Sequence, residues 1–402
     1  MSEEEWYYVI DKEGNVFQVF GNELTNGELQ VAVLEYIFNT SKTYPLLKRK
    51  TRNEIDFYRV GIAYNTEQLK KIGMTKHIHF CDCINRETVS LSPHNTEKIL
   101  TPHQALVNLI QNRVYIPTSV KKDLLYLLDT IRYNLSDSLI NSLGVEGSLC
   151  FGVSHAYSDI DIIINGQNDF ETINSKWKEI ISDEKNISLI CQLPKCQEEL
   201  VKDRAEFIPY SKEDILFHEN RKNYAYITIN GQYRKINVVG KLNPKDPLYQ
   251  ERFSKYFNSY SFRPVGMYKV KGITQTERLG SYIPSIYDTD TLEIQPISDK
   301  SNILDGRETK IDYIIDYIGS YYLHLKKGEL FEGVGMVEEI YYKGQPTGRY
   351  RLSLNPWDGH MINHMYLKTI HKGENRRTIN DHLVVSSQKK RFNIENLLNR
   401  ER

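Results

Sequence analysis

The chain has 402 residues, 40% of them hydrophobic and 26% charged, which is the range of a folded globular protein and excludes wholesale disorder. At about 150 residues per domain, that length predicts two or three domains. Lys+Arg and Asp+Glu balance at 52 each, which removes the net-charge case for a nucleic-acid coat protein while leaving room for a local basic patch.

No apolar run approaches about 18 residues, so no membrane-spanning segment is predicted. The acidic start, Met1-Ser2-Glu3-Glu4-Glu5, lacks the apolar stretch of a secretory signal, and the expected compartment is the cytoplasm. Five cysteines (Cys81, Cys83, Cys150, Cys191 and Cys196) are an odd number and too few for a disulfide scaffold, so reduced thiols are expected.

The first 100 residues read as strands. Trp6–Ile10 and Asn15–Phe20 flank Asp11-Lys12-Glu13-Gly14, a hairpin loop with glycine where positive φ is needed. Further β-like runs follow at Leu29–Phe38, Asp56–Ala63 and His77–Cys83. Helical periodicity begins after Thr101-Pro102. It continues from Pro117, where Leu124, Leu128, Ile131 and Leu135 keep one face apolar, and a further helical stretch runs from Ser136 to Leu143.

A short strand is predicted to run into Gly147. The alternation of Ile160, Ile162 and Ile164 with Asp159 and Asp161 predicts a strand over 158–164, ended by Asn165-Gly166. Asp169 is expected to cap a helix with Phe170, Ile173, Trp177 and Ile180 on one stripe, and Tyr224–Ile229 and Tyr233–Val239 form a hairpin around Asn230-Gly231. From about residue 260 the chain turns β-rich again, at Gly266–Ile273, Glu332–Tyr342 and Gly348–Leu354. The expected fold class is α+β: a core with a mixed β-sheet and flanking helices between β-rich N- and C-terminal regions. The expected boundaries are 1–100, 101–245 and 246–360, followed by a basic tail over 361–402.

One segment concentrates chemistry: Gly147-Ser148, a spacer, then Asp159-Ile160-Asp161. Carboxylates two residues apart on a strand share a face, about 7 Å apart along the chain. That spacing suits divalent cations of the kind that serve phosphoryl and nucleotidyl transfer, and oxygen ligands select Mg²⁺ or Mn²⁺. Glycine lets a phosphate approach the backbone, and Gly147-Ser148 is expected to open a helix whose N–H groups, with the Ser148 hydroxyl, hold its oxygens.

This combination resembles the DNA polymerase β-type nucleotidyltransferase superfamily, whose signature is Gly-Ser, a spacer of about ten residues, and Asp-x-Asp within an apolar strand. The likeness covers about residues 120 to 240. More loosely, the chain resembles uncharacterised, mostly archaeal proteins described as predicted nucleotidyltransferases. It implies a nucleotidyltransferase core that transfers an NMP from an NTP to an acceptor hydroxyl with Mg²⁺ or Mn²⁺, the acceptor being RNA, a small molecule or a protein.

Carried over, Gly147, Ser148 and neighbouring Ser158 hold the donor, and Asp159 and Asp161 ligate the metals. The superfamily's third carboxylate falls in Lys235-Ile236-Asn237-Val238-Val239, where its position holds Asn237. An amide brings no charge and cannot act as a general base. Glu206, Asp203 and Glu146 are the nearby carboxylates that substitute for it in principle. The alternative is a catalytically impaired nucleotide- or RNA-binding protein on the same fold.

Other residues invite weaker readings. His77, His79, Cys81 and Cys83 fall on one face of the predicted strand, but the ends of such a run are about 20 Å apart, too far for one zinc ion. His155 lies close to where phosphates would sit, but reads as an exposed loop histidine before a donor contact. Arg204, Arg221 and Lys222 either neutralise a triphosphate or form surface salt bridges. Arg376-Arg377 and Lys389-Lys390-Arg391 read as a solvated tail before an RNA contact.

Overall fold

The computed structural model describes residues 6–370, except 21–23, 27, 39–40, 62–63, 183, 206–209, 230–231, 298–303, 305–308, 318 and 355–364. Glu206, the Asn230-Gly231 turn and the basic clusters at 376–377 and 389–391 lie outside the described residues. Those described form three sheets and seven α-helices, a mixed α/β architecture.

Strands of the first 100 residues build one antiparallel sheet. Trp6–Asp11 pairs with both Asn15–Phe20 and Thr96–Leu100, and Leu29–Ile37 extends the sheet toward Ile55–Arg59 and Arg49–Arg52. Alternating residues Tyr7, Val9, Phe17, Val19, Ala32 and Leu34 pack into this sheet's own core. Thr101 then caps the helix Pro102–Ile110 through a reciprocal pair with Gln104, satisfying two otherwise orphaned N–H groups.

The central sheet has the strand order Leu143–Val145, Ile160–Asn165, Gln232–Lys241, Tyr224–Ile229, Ile187–Leu189. Ile160–Asn165 runs antiparallel to Leu143–Val145 and parallel to Gln232–Lys241, so the expected mixed sheet is present. Ile160, Ile162, Ile164, Ile236 and Val238 are buried on one face, with Leu124 and Leu128 of the helix Thr118–Asn134 and Phe170 and Trp177 of Gln167–Ser182. Each fully buried isoleucine contributes about 1.5–3 kcal/mol relative to an exposed one. Gly240 admits Phe170, whose ring occupies the space a Cβ there would fill.

Two local expectations are corrected. The stretch from Ser136 to Leu143 holds a 3₁₀ segment, Asp137–Ser142, and Leu143 already belongs to a strand. The helix at 167–182 starts at Gln167, so Asp169 sits in its first turn and not before it. Its negative charge still favours that end of the helix dipole.

The C-terminal strands close on themselves. Tyr260–Thr276 pairs with Ser285–Pro296 on one side and Leu330–Tyr342 on the other, with Ile311–Asp316 and Gln345–Ser353 completing the ring. Closure pairs each of these five strands on both sides over part of its length. Tyr366–Thr369 adds to Leu330–Tyr342, so ordered strand extends past residue 360. Among the described residues, no helix is long and apolar enough to cross a membrane.

Candidate functional site

The second face of the central sheet is polar at one end. Parallel pairing sets Asp161 beside Asn237 and Ile163 beside Val239, so Asp161, Lys235 and Asn237 share a face, while Asp159 precedes the strand Ile160–Asn165, close enough for its charge to act on Asp161. Ile163, Tyr224 and Val239 continue that face as an apolar patch, covered by Ile283 and Tyr322 from the C-terminal region and edged by Val33 from the N-terminal sheet. All three regions therefore meet over this face.

Gly147 stands next to Asp161: a Cβ built on it would lie 3.7 Å from Asp161 Oδ2. The glycine is required, because φ is +66°. Gly147–Leu149 is a single 3₁₀ turn, a correction to the expected helix, and the chain then returns to the acidic strand as turns and loop. The Gly147 N–H donates to the Tyr8 hydroxyl at 3.0 Å, so that donor is already engaged by the N-terminal sheet.

The loop between the Gly-Ser turn and the acidic strand is tied from two sides. Asn53 donates to the carbonyls of Gly152 and Ser154, and Arg52 donates to that of Val153. Arg234, ion-paired with buried Asp123, donates to the carbonyls of Ser158 and Ala156. Ser158 is itself buried, and its hydroxyl oxygen accepts the His155 N–H at 2.8 Å. His155 is exposed, and its Nδ1 accepts the Tyr157 N–H. Both therefore shape the loop.

The acidic pair is electrostatically strained. Burial, reinforced by Asp159, pushes the Asp161 carboxyl up to about 6, against the opposing pull of Lys235 and a hydrogen bond from the Asn237 amide. Asp159 is exposed as a residue, but its carboxyl is partly withdrawn from water and raised as well, against Lys235 and Arg234. Lys235 lies 4.1 Å from the centre of the Tyr224 ring. Its burial acts to lower its pKa, yet Tyr224 and Asp159 hold it raised.

Asn237 is held from both ends. The Tyr322 hydroxyl donates to Asn237 Oδ1 at 2.7 Å, while the amide hydrogen-bonds Asp161. On the other flank of Asp161, antiparallel pairing of Val145 with Ile162 brings Glu146 level with Asp161, and the Glu146 N–H donates to the Asp161 carbonyl. Burial pushes the Glu146 carboxyl up to about 7, Lys241 opposing and Asp161 and Glu35 adding. Glu146, Asp161 and Asn237 thus stand in a row across three adjacent strands. Asp203 is exposed and acts on Asp159 only through its charge.

The remaining cations are structural in part. Arg221 is bidentate to Glu329 and also donates to the His324 carbonyl, away from the acidic pair. Lys222 is buried against Glu219 and the Ser320 carbonyl. Arg204 lies nearer, donating to the Tyr224 hydroxyl and paired with Glu219. The histidine–cysteine run does not form one face: His77 is buried in a 3₁₀ turn and bonded to Asp11, while Cys83 lies in the turn after the strand.

Among the described residues, no group of three or more His, Cys, Asp or Glu side chains is placed to hold a metal ion. The donor set at the site is two carboxylates that repel one another, the Asn237 amide being taken up by Tyr322 and Asp161. Such a set suits a hard divalent cation that takes its remaining ligands from phosphate oxygens and water. Sequence reasoning identified Asp159, Asp161, Asn237 and Gly147, but missed Tyr8, Tyr322, Arg52, Asn53 and Arg234. Only Lys235 carried a legible signal, two residues before Asn237 on the same face. No family model, curated protein or solved structure matches the chain.

Proposed function

We propose that this chain is a divalent-cation-dependent nucleotidyltransferase, moving an NMP from an NTP to an acceptor hydroxyl and releasing pyrophosphate, with the central sheet as its nucleotidyltransferase core. The observation that carries this reading is the approach of the Gly147 turn to the Asp161 carboxylate, with Asn237 on the same face and Asp159 close by. Asp159 and Asp161 would hold Mg²⁺ or Mn²⁺, which supplies charge neutralisation at the phosphates and Lewis acidity at the phosphoryl oxygen.

The chain's own residues account for the rest. Gly147 leaves space at the backbone for a phosphate, and Ser148 follows it at the same turn. Lys235, beside the acidic pair, adds positive charge to the binding surface. Asn237, fixed by Tyr322, turns its amide to Asp161 and holds that carboxylate in place. Glu146, level with Asp161 on the opposite flank, is the carboxylate best placed to stand in for the missing third acid.

A second reading is a nucleotide- or RNA-binding protein without catalysis. The lock on Asn237 between Tyr322 and Asp161 favours it, because that amide is already committed to protein contacts. The test is incubation of the pure protein with each labelled NTP, Mg²⁺ or Mn²⁺, and cell RNA or protein extract. Label transfer lost in an Asp159→Ala/Asp161→Ala double variant supports the enzyme. Calorimetric binding of Mg²⁺-NTP without label transfer supports the second reading, and neither signal refutes both.

A further inference from the structure

Cys81 ends the strand Ile78–Cys81, and Cys83 follows it in the turn that leads into Arg86–Leu91. The Ile84 N–H donates to the Cys81 carbonyl, so Cys81 and Cys83 are the first and third residues of a hydrogen-bonded turn. That folds their Cα atoms to about 5.5 Å, inside the range a disulfide spans. Their sulfurs lie 2.8 Å apart, closer than two unbonded sulfurs normally rest and less than 1 Å beyond a covalent S–S distance of about 2.05 Å.

The two thiols have different access. Cys81 is fully buried in the main hydrophobic core, whereas Cys83 is partly exposed. We propose that Cys81 and Cys83 form a reversible redox pair, oxidised to an intraturn disulfide by small-molecule disulfides such as oxidised glutathione. The exposed Cys83 is the point of entry. Its thiolate attacks one glutathione sulfur; the Cys83–glutathione bond forms, the glutathione S–S bond breaks, and the departing thiolate takes up the proton Cys83 released. Cys81 then attacks the Cys83 sulfur; the protein disulfide forms and a second glutathione leaves with the Cys81 proton. The protein loses two electrons and two protons, and glutathione disulfide gains them.

The hydrogen bond between the sulfurs lowers the Cys81 thiol to about 7 and raises that of Cys83, so the pair's first thiolate rests on Cys81. The 2.8 Å contact lets the Cys83 proton cross to it, and access makes Cys83 the point of entry. The turn also carries the junction between the N-terminal sheet and the C-terminal ring. The Cys83 carbonyl accepts the Phe262 N–H at 2.7 Å, and Arg86 reaches the buried Glu338.

The test uses the full chain, reduced, freed of reductant, and equilibrated with oxidised and reduced glutathione. Acid quench, alkylation in denaturant and peptide mass analysis then follow. The expected product is a peptide holding both cysteines, two hydrogens lighter and unalkylated, restored by dithiothreitol. Folded protein should reach half-oxidation at a glutathione disulfide level roughly tenfold or more below that of the chain in urea, because the fold holds the sulfurs together. Cys81→Ser should stop at a glutathione adduct on Cys83, and Cys83→Ser should leave Cys81 reduced, each checked for native circular dichroism. Two alkylated thiols at excess oxidised glutathione would overturn the proposal. So would a wild-type adduct that goes no further, or equal midpoints in buffer and urea.

Discussion

Asn237→Asp is the substitution that most directly probes the acidic face. Asn237 and Asp161 are register partners on adjacent parallel strands, about 4.8 Å apart, with side chains on one face. The change replaces an amide that donates to Asp161 with a second carboxylate. Two full charges about 5 Å apart at an effective dielectric of about 20 repel by about 3 kcal/mol. Water reaching half-buried Asp161 lowers this, so without metal the expected loss is about 1–3 kcal/mol at pH 8.

The direction with pH follows from the same charges. Asp161 already titrates near 6, above the free carboxylate, and the introduced charge raises it further. The folded variant therefore binds a proton more readily than the unfolded chain, and the stability gap narrows as pH falls toward 5. A divalent cation relieves the same repulsion, so Mn²⁺ should bind the variant about 5- to 150-fold more tightly than wild type. If the site is catalytic, nucleotidyl transfer should be at least equal to wild type. Urea unfolding in EDTA and in Mn²⁺, at pH 8 and 5.5, reads the stability and metal terms. Equal stabilisation of both proteins by Mn²⁺, or an unchanged stability in EDTA, would refute a shared cation site at Asp161 and Asn237.

Gly147→Ala should cost about 1–2 kcal/mol from the left-handed backbone alone, since the added Cβ meets Asp161 Oδ2 at ordinary contact distance. Gly147→Asn should cost less by thermal unfolding, and equal losses would point to steric conflict. Glu338→Gln leaves Arg351 buried with its charge uncompensated and should destabilise by about 3–5 kcal/mol in urea. His218 and His324 stack with ring centres 4.3 Å apart, and burial, helped by Arg221 and Lys222, lowers His218 to about 3. Because that lies below the unfolded value of about 6.5, the stabilising contribution is complete above pH 6.5 and is lost as pH falls toward 3. The loss is about 2 kcal/mol between pH 6.5 and 5, and His218→Gln should flatten the pH dependence of urea unfolding by that amount. An unchanged slope would show that His218 takes up its proton in the folded state.

The sequence by itself determined the two faces of the acidic strand. Isoleucines at 160, 162 and 164 alternate with Asp159 and Asp161, and a strand has a period of two, so the pattern fixes which residues share a side. The strands at 224–229 and 233–239 were legible too, but Asn237 comes onto that side only through the parallel pairing of Gln232–Lys241 with Ile160–Asn165. Gly147 was legible because its residue type is matched to a backbone conformation that others resist. Only the tertiary structure decided what surrounds these residues. Tyr8 reaches Gly147 across 139 positions, Tyr322 reaches Asn237 across 85, and Asn53 reaches the Gly152 carbonyl across 99. Such partners are single polar side chains on distant elements, with no spacing that marks them. The same holds for Glu146, which comes level with Asp161 only because the strand at 143–145 pairs antiparallel with the acidic strand. That the chain makes one 3₁₀ turn after Gly147 and not the expected helix was settled the same way. The segment had room to continue, but Arg52, Asn53 and Arg234 take up the carbonyls of residues 152–154, 156 and 158 and hold the chain there as a loop.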